Sequence, residues 1–273
     1  MKDLDEKEMT FIDHLEELRW HIIRSLAAIL VFAVAAFCFK RFIFHDLILG
    51  PSRPDFWTYR MLCKAAVLLQ SPDLCVDKLD FIIQSRTMTG QFTTHITVSL
   101  VIGMILAFPY AFWEIWRFVK PGLYSNEKTN TQGAVFFVSL LFLLGVLFGY
   151  FVLTPFSINV LSNYKVDDSI QNEFDLASYI STVTMLVLSC AIMFQLPMVI
   201  YVLSKIGVVT PKFMRHFRRH AIVIILILAA VLTPSPDVLS QTMVAIPIYL
   251  LYEISIFVSA AVERNLRKKA LIQ

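Results

Sequence analysis

Six mostly apolar stretches divide the chain, and polar or charged segments separate them. The stretches are Ile22–Phe39, Thr87–Trp113, Thr129–Tyr164, Leu176–Ser204, His220–Pro236 and Val238–Tyr252. A helix needs about 20 apolar residues, and about 17 at the least, to cross the hydrocarbon core of a bilayer. We therefore predict an all-α polytopic membrane protein with six spans, at approximately 22–39, 94–113, 132–154, 179–203, 220–235 and 238–257.

Prolines and charges shape the later stretches. The third stretch exceeds one span, and Pro155 is expected to end its helix. The last two stretches are separated only by residues 233–237, which predicts a tight hairpin of two short helices. Charged residues limit these helices to roughly 24 Å, which is less than a hydrocarbon core of about 30 Å. Five spans with a re-entrant final pair remain an alternative.

Lysines and arginines predict the orientation. The two tails and the short loops on one side carry 16 of them, whereas the short loops on the other side carry only Lys165. The long first loop, about residues 44–91, carries seven more. Since the positive-inside rule weighs short loops most heavily, we expect both termini in the cytoplasm.

The composition agrees with this class of protein: 57% of the residues are hydrophobic and 16% are charged. The acidic start lacks the basic region of a cleavable signal peptide, so the first span is expected to act as its own insertion signal. We predict a single membrane domain over residues 1–273. The net charge of +3 is explained by topology and does not indicate nucleic-acid binding.

The long first loop is expected to lie outside. Its stretch Tyr59–Gln70 has the periodicity of a short amphipathic helix. Cys63 and Cys75 fall in this loop, on the side where disulfides persist, so they are either a disulfide or two packed free thiols.

Carboxylates stand at both expected cytoplasmic edges of the first two spans. Glu17 lies on an amphipathic approach to the first span, where anionic lipid makes acidic groups unfavourable. It could simply pair with His21, or Glu16 with Arg19, on a solvated helix face. Glu127 follows the second span and could simply favour the start of the third helix through the helix dipole.

A second group of polar residues lies within or beside the later spans: Gln195, Asp237 and Gln241. Polar groups inside a membrane are costly unless they are paired or hydrated, which makes them functional candidates. The alternative is that they join helices through hydrogen bonds of about 0.6–2 kcal/mol each.

Five motifs in order resemble the TatC family, the multi-spanning subunit of the twin-arginine protein translocase. They are His14-Leu-Glu-Glu-Leu-Arg19, Trp116-x-Phe118-x-x-Pro-Gly-Leu-Tyr-x-x-Glu127, Asp175-x-x-x-Tyr179, Phe194-x-x-Pro197, and Leu232-Thr-Pro with Pro-Asp-Val238-x-Ser-Gln241 and Ala245-Ile-Pro247. One motif alone would be weak, but together they cover nearly the whole chain.

The resemblance implies a cup-shaped bundle of six helices with two short final helices. It also implies a receptor for signal peptides with paired arginines, in the bacterial cytoplasmic (inner) membrane. Such a receptor works with single-span TatA- and TatB-like partners, associates with further copies of itself, and exports folded proteins with the proton-motive force. By motif position, the peptide arginines would meet Glu17 and Glu127, and Arg19, Phe118, Leu123 and Tyr124 would line the same cytoplasmic site.

The chain departs from the family pattern at four places. His21 stands where a second basic residue is common, and Glu114 stands where glutamine is frequent. Gln195 replaces a common glutamate, which weakens the case for a charge in the middle of the membrane. Ser235 adds a residue between the prolines of the last hairpin. None of these departures affects Glu17 or Glu127.

A secondary transporter of a small solute is the main alternative, because six spans and a polar cluster would allow it. The sequence shows no internal repeat of the kind that many transporters carry. It also lacks the His-Glu-x-x-His and Gly-x-Ser-x-Gly motifs of hydrolases. We therefore expect no enzyme activity, no catalytic residue, no metal and no cofactor.

The charge pattern makes the topology testable by thiol labelling in a background that lacks the native cysteines. Cysteines introduced at residues 126, 212 and 268 should be shielded from a membrane-impermeant reagent, whereas those at residues 55 and 168 should react. Labelling of residue 268 from outside would contradict six spans.

Overall fold

The computed structural model describes residues 11–70, 75, 79, 81–119, 131–167, 169–233 and 238–270. These residues form two compact units, which we describe separately. The first contains the described parts of 1–40 and 95–139, and the second those of 41–94 and 140–273. The single membrane domain expected over residues 1–273 stays a prediction.

Helices dominate both units, in agreement with the predicted class. They are α1 (Phe11–Cys38), α2 (Trp57–Leu69), α3 (Gly90–Val119), α4 (Thr131–Phe148), α5 (Thr154–Asn163), α6 (Leu176–Met193), α7 (Leu196–Lys205), α8 (Pro211–His216), α9 (Arg218–Leu232) and α10 (Val238–Ala270). Two strands, β1 (Phe81–Gln84) and β2 (Asn172–Asp175), complete the described elements. The predicted amphipathic helix at Tyr59–Gln70 is confirmed as α2.

Within the described residues, five helical stretches are long and apolar enough to cross a membrane. They are Glu16–Cys38, Gly90–Phe118, Val135–Asn163, Leu176–Lys205 and Gln241–Lys268. Helix α9 has 15 residues, or about 22 Å, so it is short for a full span, as the sequence predicted. Helix α10 is a continuous helix of 33 residues and extends well beyond the predicted end at residue 257.

In the first unit, α1 packs antiparallel to the part of α3 that begins at His95. His21 lies beside Glu114 at one end of the pair, and the Phe37 ring stacks on His95 at the other end, with 3.9 Å between ring centroids. The helices approach most closely in between, where a Cβ on Gly103 would lie 2.6 Å from the Ala33 backbone nitrogen. This geometry fixes which polar residues of α1 and α3 meet.

The expectation that Pro155 ends the third helix is wrong. After α4 the chain forms a π-helical segment, Gly149–Leu153, and then continues as α5 with Pro155 in its first turn. A proline in a first turn needs no N–H partner, and the wider π-helical turn accommodates its ring. The Thr154 hydroxyl donates to the Gly149 carbonyl at 2.8 Å, which satisfies an acceptor in this turn.

The predicted fourth span is interrupted by a break between two helices, whereas the third is not. Helix α6 ends at Met193, and α7 begins at Leu196 with Pro197 in its first turn. Pro109 and Pro247 lie inside α3 and α10 without ending either helix.

Three tyrosine hydroxyls of the second unit hold the segment that follows α1. Tyr150 donates to the Leu47 carbonyl at 2.6 Å, and Tyr179 donates to the Ile48 carbonyl at 2.8 Å. The Tyr59 hydroxyl, from α2, lies 3.1 Å from the Pro51 carbonyl and 2.9 Å from the Pro155 carbonyl, so its single O–H is shared between this segment and α5. Residues 47–51 combine π-helical and 3-10 turns, so their carbonyls depend on such side-chain donors.

A short parallel strand pair links two connections of the second unit. Phe81 pairs with Asn172 and Gln84 with Asp175. The Asp175 carboxylate accepts from the Arg86 backbone N–H at 3.2 Å and caps α6 by accepting from the Ala177 N–H at 3.1 Å. These strands were not predicted from the sequence.

The structure joins Cys63 and Cys75 in a disulfide, with their Cα atoms 4.3 Å apart. Cys63 belongs to α2, so the bond ties residue 75 to this helix. Of the two alternatives that the sequence left open, the geometry therefore matches the disulfide. Cys38 and Cys190 are free thiols.

Helices α4 and α6 touch backbone to backbone at Gly145 in the second unit. A Cβ at this position would lie 2.7 Å from the Ala191 Cα and 2.8 Å from the Cys190 carbonyl oxygen. A side chain at this position would force the helices apart, because neither contact is with the movable end of a side chain. Gly133, on the same helix, has nothing within 4 Å of a built Cβ.

We predict that Gly145→Ala destabilises the protein by about 1–3 kcal/mol, the usual cost of overpacking. The matched variant Gly133→Ala should be neutral or slightly stabilising, because alanine favours a helix over glycine. Thermal unfolding in detergent would measure both. Equal unfolding temperatures for the two variants would contradict the close approach of α4 and α6.

Candidate functional site

The described residues of the predicted peptide site, Glu17, Arg19 and Phe118, fall in the first unit, on α1 and α3. Glu17 is partly exposed, with 39% of its side chain accessible, and its Oε1 lies 3.9 Å from His21 Nε2. Arg19 is exposed. Phe118 is partly buried, and its ring meets the His21 ring edge-on with centroids 6.2 Å apart. Helix spacing and the α1–α3 contact therefore bring Glu17, His21 and Phe118 into one neighbourhood.

Three predicted residues of this site, Leu123, Tyr124 and Glu127, lie outside the described residues, as does Asp237 of the second group. Of the two helix-face pairs considered for the acidic residues, the structure shows the one between Glu17 and His21. Glu16, one position before Glu17, is exposed.

Behind Glu17 lies a polar cluster that the sequence analysis did not assign to the site. Its members are His21, Arg24, Tyr110, Glu114 and Arg117. At its centre, the Glu114 side chain is only 2% accessible, and its Oε2 lies 2.5 Å from His21 Nδ1. Since an ionised carboxylate can only accept hydrogen bonds, His21 Nδ1–H is the donor here.

A further donor and two cations surround this carboxylate. The Tyr110 hydroxyl donates to Glu114 Oε1 at 3.1 Å. Arg24 Nη1 lies 3.9 Å from Oε2, and Arg117 Nη1 lies 3.9 Å from Oε1. Both arginine contacts are longer than a hydrogen bond, so their attraction to Glu114 is electrostatic.

The two arginines reach this carboxylate from the surface. About half of each side chain is accessible, 50% for Arg24 and 48% for Arg117. Arg117 also places its guanidinium 4.8 Å from the Trp113 ring centroid, which is a cation–π distance. A buried charge is tolerated only when it is paired and hydrogen-bonded, and Glu114 meets both conditions.

Two signals in the sequence point to this cluster. Glu114 is a lone carboxylate near the end of an apolar stretch, which is a functional candidate by default. His21 follows Glu17 by one helical turn. Neither signal says that His21 and Glu114 face each other, because that requires the pairing of α1 with α3.

The second predicted group lies in the second unit. Gln195 precedes α7 and is partly buried. The Gln241 side chain, on α10, donates from Nε2 to the Leu226 carbonyl of α9 at 2.9 Å. The bond from Gln241 joins the two helices of the last hairpin. Across the described residues, no group of three or more His, Cys, Asp or Glu side chains is arranged to hold a metal ion.

Comparison with known proteins decides the family. The family model "Sec-independent protein translocase protein (TatC)" matches residues 13–247. The chain belongs to the TatC family. The TatC protein of Blattabacterium sp. subsp. Periplaneta americana is 37% identical over 263 residues, which cover 96% of this chain and 98% of that protein. The TatC protein of Aquifex aeolicus is 34% identical over 258 residues, which cover 94% of this chain and 97% of that protein.

Comparison with solved structures supports the same family. A crystal structure of the twin arginine translocase receptor TatC superposes with a TM-score of 0.67 at 33% identity, covering 92% of this chain and 99% of the other. A second one, of TatC in DDM, gives 0.71 at 33% identity, covering 90% and 99%. The predicted family and fold class are thereby confirmed: this is a mainly helical, multi-pass TatC protein of the Tat protein-transport system. The count of six spans stays a prediction.

Proposed function

We propose that this TatC protein is the receptor and core subunit of its twin-arginine translocase. It binds paired-arginine signal peptides at its cytoplasmic face. With TatA- and TatB-type partners and further copies of itself, it exports folded proteins using the proton-motive force. It resides in the bacterial cytoplasmic (inner) membrane with both termini in the cytoplasm, as the distribution of lysine and arginine indicates.

The observation that carries this proposal is the state of Glu17. Its carboxylate is partly exposed, and within the described part of the chain the one side chain that approaches it is His21, at 3.9 Å. That distance is too long for a hydrogen bond. Glu114, in contrast, is buried and already paired. Of these two carboxylates, Glu17 is therefore the one that an incoming cation can reach.

Carboxylate chemistry explains why the peptide would need arginine. A guanidinium binds a carboxylate through two parallel hydrogen bonds, whereas the ammonium of lysine acts as a point charge. Two carboxylates at a fixed separation then select two neighbouring arginines. Glu17 supplies one, and we assign the second to Glu127, which follows α3 by eight residues after Val119.

The end of α3 supports this assignment. The Phe118 ring contacts His21, one turn from Glu17, so the connection towards Glu127 starts beside the α1 site. Phe118, with Leu123 and Tyr124, would give the peptide an apolar wall, and the exposed Arg19 would stand at its edge.

We predict that Glu17→Ala and Glu127→Ala each weaken binding of a paired-arginine peptide by about tenfold or more. Each variant loses a charge-assisted hydrogen bond of about 1.5–3 kcal/mol. Abundance and stability in detergent should not change, because Glu17 is partly exposed. Fluorescence anisotropy with a labelled signal peptide and the purified full-length chain would measure the affinity.

Glu16→Ala is the matched control for this prediction. Glu16 is exposed and points about 100° away from Glu17 on the same helix, so its loss should be mild. Phe118→Ala should weaken arginine and lysine peptides alike, through lost packing. Strong loss with Glu16→Ala and none with Glu17→Ala would move the site by one residue. If neither Glu17→Ala nor Glu127→Ala changed the affinity, the receptor function would lose its physical basis.

A partner helix is proposed to dock on the second unit, at the side that carries Gln195, Asp237 and Gln241. The short α9 leaves the bilayer thin beside it, at a cost of fractions of a kcal/mol per Å of mismatch. An apolar groove of about 270 Å³ runs between α9 and α10, with Ile225, Leu226, Ala245 and Ile246 in its wall. A single-span TatA- or TatB-like helix suits such a groove, because its surface is apolar throughout the span.

Photo-crosslinkers at residues 198 and 243 are therefore expected to capture a TatA- or TatB-like protein in native membranes. A crosslinker at residue 31, on an exposed position of α1, is the matched control. Capture at residue 31 and at neither of the other two positions would contradict this docking side.

A further inference from the structure

The basic side chains of the cluster beside Glu17 are poorly suited to receive a peptide with two positive charges. Arg24 and Arg117 are always protonated, and His21 adds a ring nitrogen 3.9 Å from Glu17. Glu114 balances these groups, because it lies within 4 Å of all three. The cluster therefore contains its own buried anion, distinct from the carboxylate that we assign to the peptide.

Burial prevents Glu114 from acting as a peptide ligand itself. The residue is 1% exposed, and both of its oxygens are engaged, Oε2 by His21 and Oε1 by Tyr110. It can therefore affect a bound peptide only indirectly, through the basic side chains that surround it.

We propose that Glu114 is a positioning residue that engages the chain's own basic side chains, so that they do not compete with the peptide for Glu17. This inference rests on the proposed receptor function. With Glu114 present, His21 donates through Nδ1 to the buried carboxylate, and the two arginines face that carboxylate. Glu17 stays open to an arginine of the peptide.

Without Glu114, the same basic side chains act against the peptide in two ways. His21 is one helical turn from Glu17, so among the described residues Glu17 becomes the carboxylate nearest to its ring. His21 then competes with the peptide for Glu17. Arg24 and Arg117 lose their counter-charge and repel the incoming arginines, in a partly buried setting where salt screens charges less than at an open surface. Both effects lower the affinity for paired arginines more than the affinity for an uncharged peptide.

The contact between His21 and Glu114 is the shortest in the cluster, with 2.5 Å between Nδ1 and Oε2. Tyr110 lies 3.1 Å from the carboxylate, and each arginine lies 3.9 Å from it. Glu114 therefore orients the His21 ring more directly than it orients either arginine.

The test uses the full-length chain in nanodiscs of defined lipid and two labelled peptides, one with paired arginines and one with both arginines replaced by glutamine. We expect Glu114→Gln to weaken binding of the paired-arginine peptide by about tenfold, the scale of one charge-assisted contact. Binding of the glutamine peptide should not change. Ser99→Ala is the matched control, since Ser99 is a buried polar residue of the same helix outside the cluster.

Rescue separates this role from a purely structural one. Arg24→Gln in the Glu114→Gln background removes one positive charge and so returns the cluster to its original net charge. It should therefore recover most of the lost affinity. A structural role of Glu114 predicts the opposite, because a second change in the cluster would add to the damage. Full affinity in Glu114→Gln, or no recovery on adding Arg24→Gln, would overturn the proposal.

Glu17→Ala, measured beside these variants, tests the underlying receptor function independently. Loss of binding in Glu17→Ala with normal binding in Glu114→Gln would refute the role of Glu114 and leave the receptor function in place. Normal binding in Glu17→Ala would show that Glu17 is not the ligand of the peptide and would refute the role of Glu114. The receptor function would lose its physical basis only if Glu127→Ala also bound the peptide normally.

Discussion

Polar groups that the bilayer or the packed protein removes from water must find their hydrogen-bond partners within the protein. This constraint explains the irregular parts of the TatC structure. The π-helical segment before Pro155 is completed by the Thr154 hydroxyl, and the turns after α1 are held by tyrosine hydroxyls. Glu114 is the most demanding case, because a buried carboxylate needs both donors and counter-charges. Arginine, histidine and tyrosine side chains supply them.

The same constraint separates the residues of the family motifs by role. Asp175 caps α6 and accepts from the backbone of Arg86, and Tyr179 donates to the Ile48 carbonyl. Pro197 starts α7 after the break in the fourth span. These residues have structural roles that account for their presence. Glu17 has no comparable bond among the described residues, and this contrast is what gives it weight as a ligand for the peptide.

Periodicity and charge predicted the apolar helices, including α2, because each depends only on residues close together in the chain. Pro155 misled the prediction, since a proline can begin a helical turn as well as end one. The strands β1 and β2 escaped notice because each has only four residues, and their pairing joins segments far apart in sequence. Glu17 could be proposed as a site residue from its motif. The contact between His21 and Glu114 could not, because it depends on how α1 and α3 pack.

The strand pair also has a consequence for biosynthesis. Phe81 and its partner Asn172 are 91 residues apart in the chain, and α3, α4 and α5 lie between them. At a synthesis rate of about 5–20 residues per second, β1 waits roughly 5–20 s for β2 to be made. During this time its edge hydrogen-bonding groups have no strand partner, so the newly made segment depends on other protection against mispairing. The pairing of β1 with β2 can therefore mark a late step in the maturation of this TatC protein, one that follows synthesis of the three intervening helices.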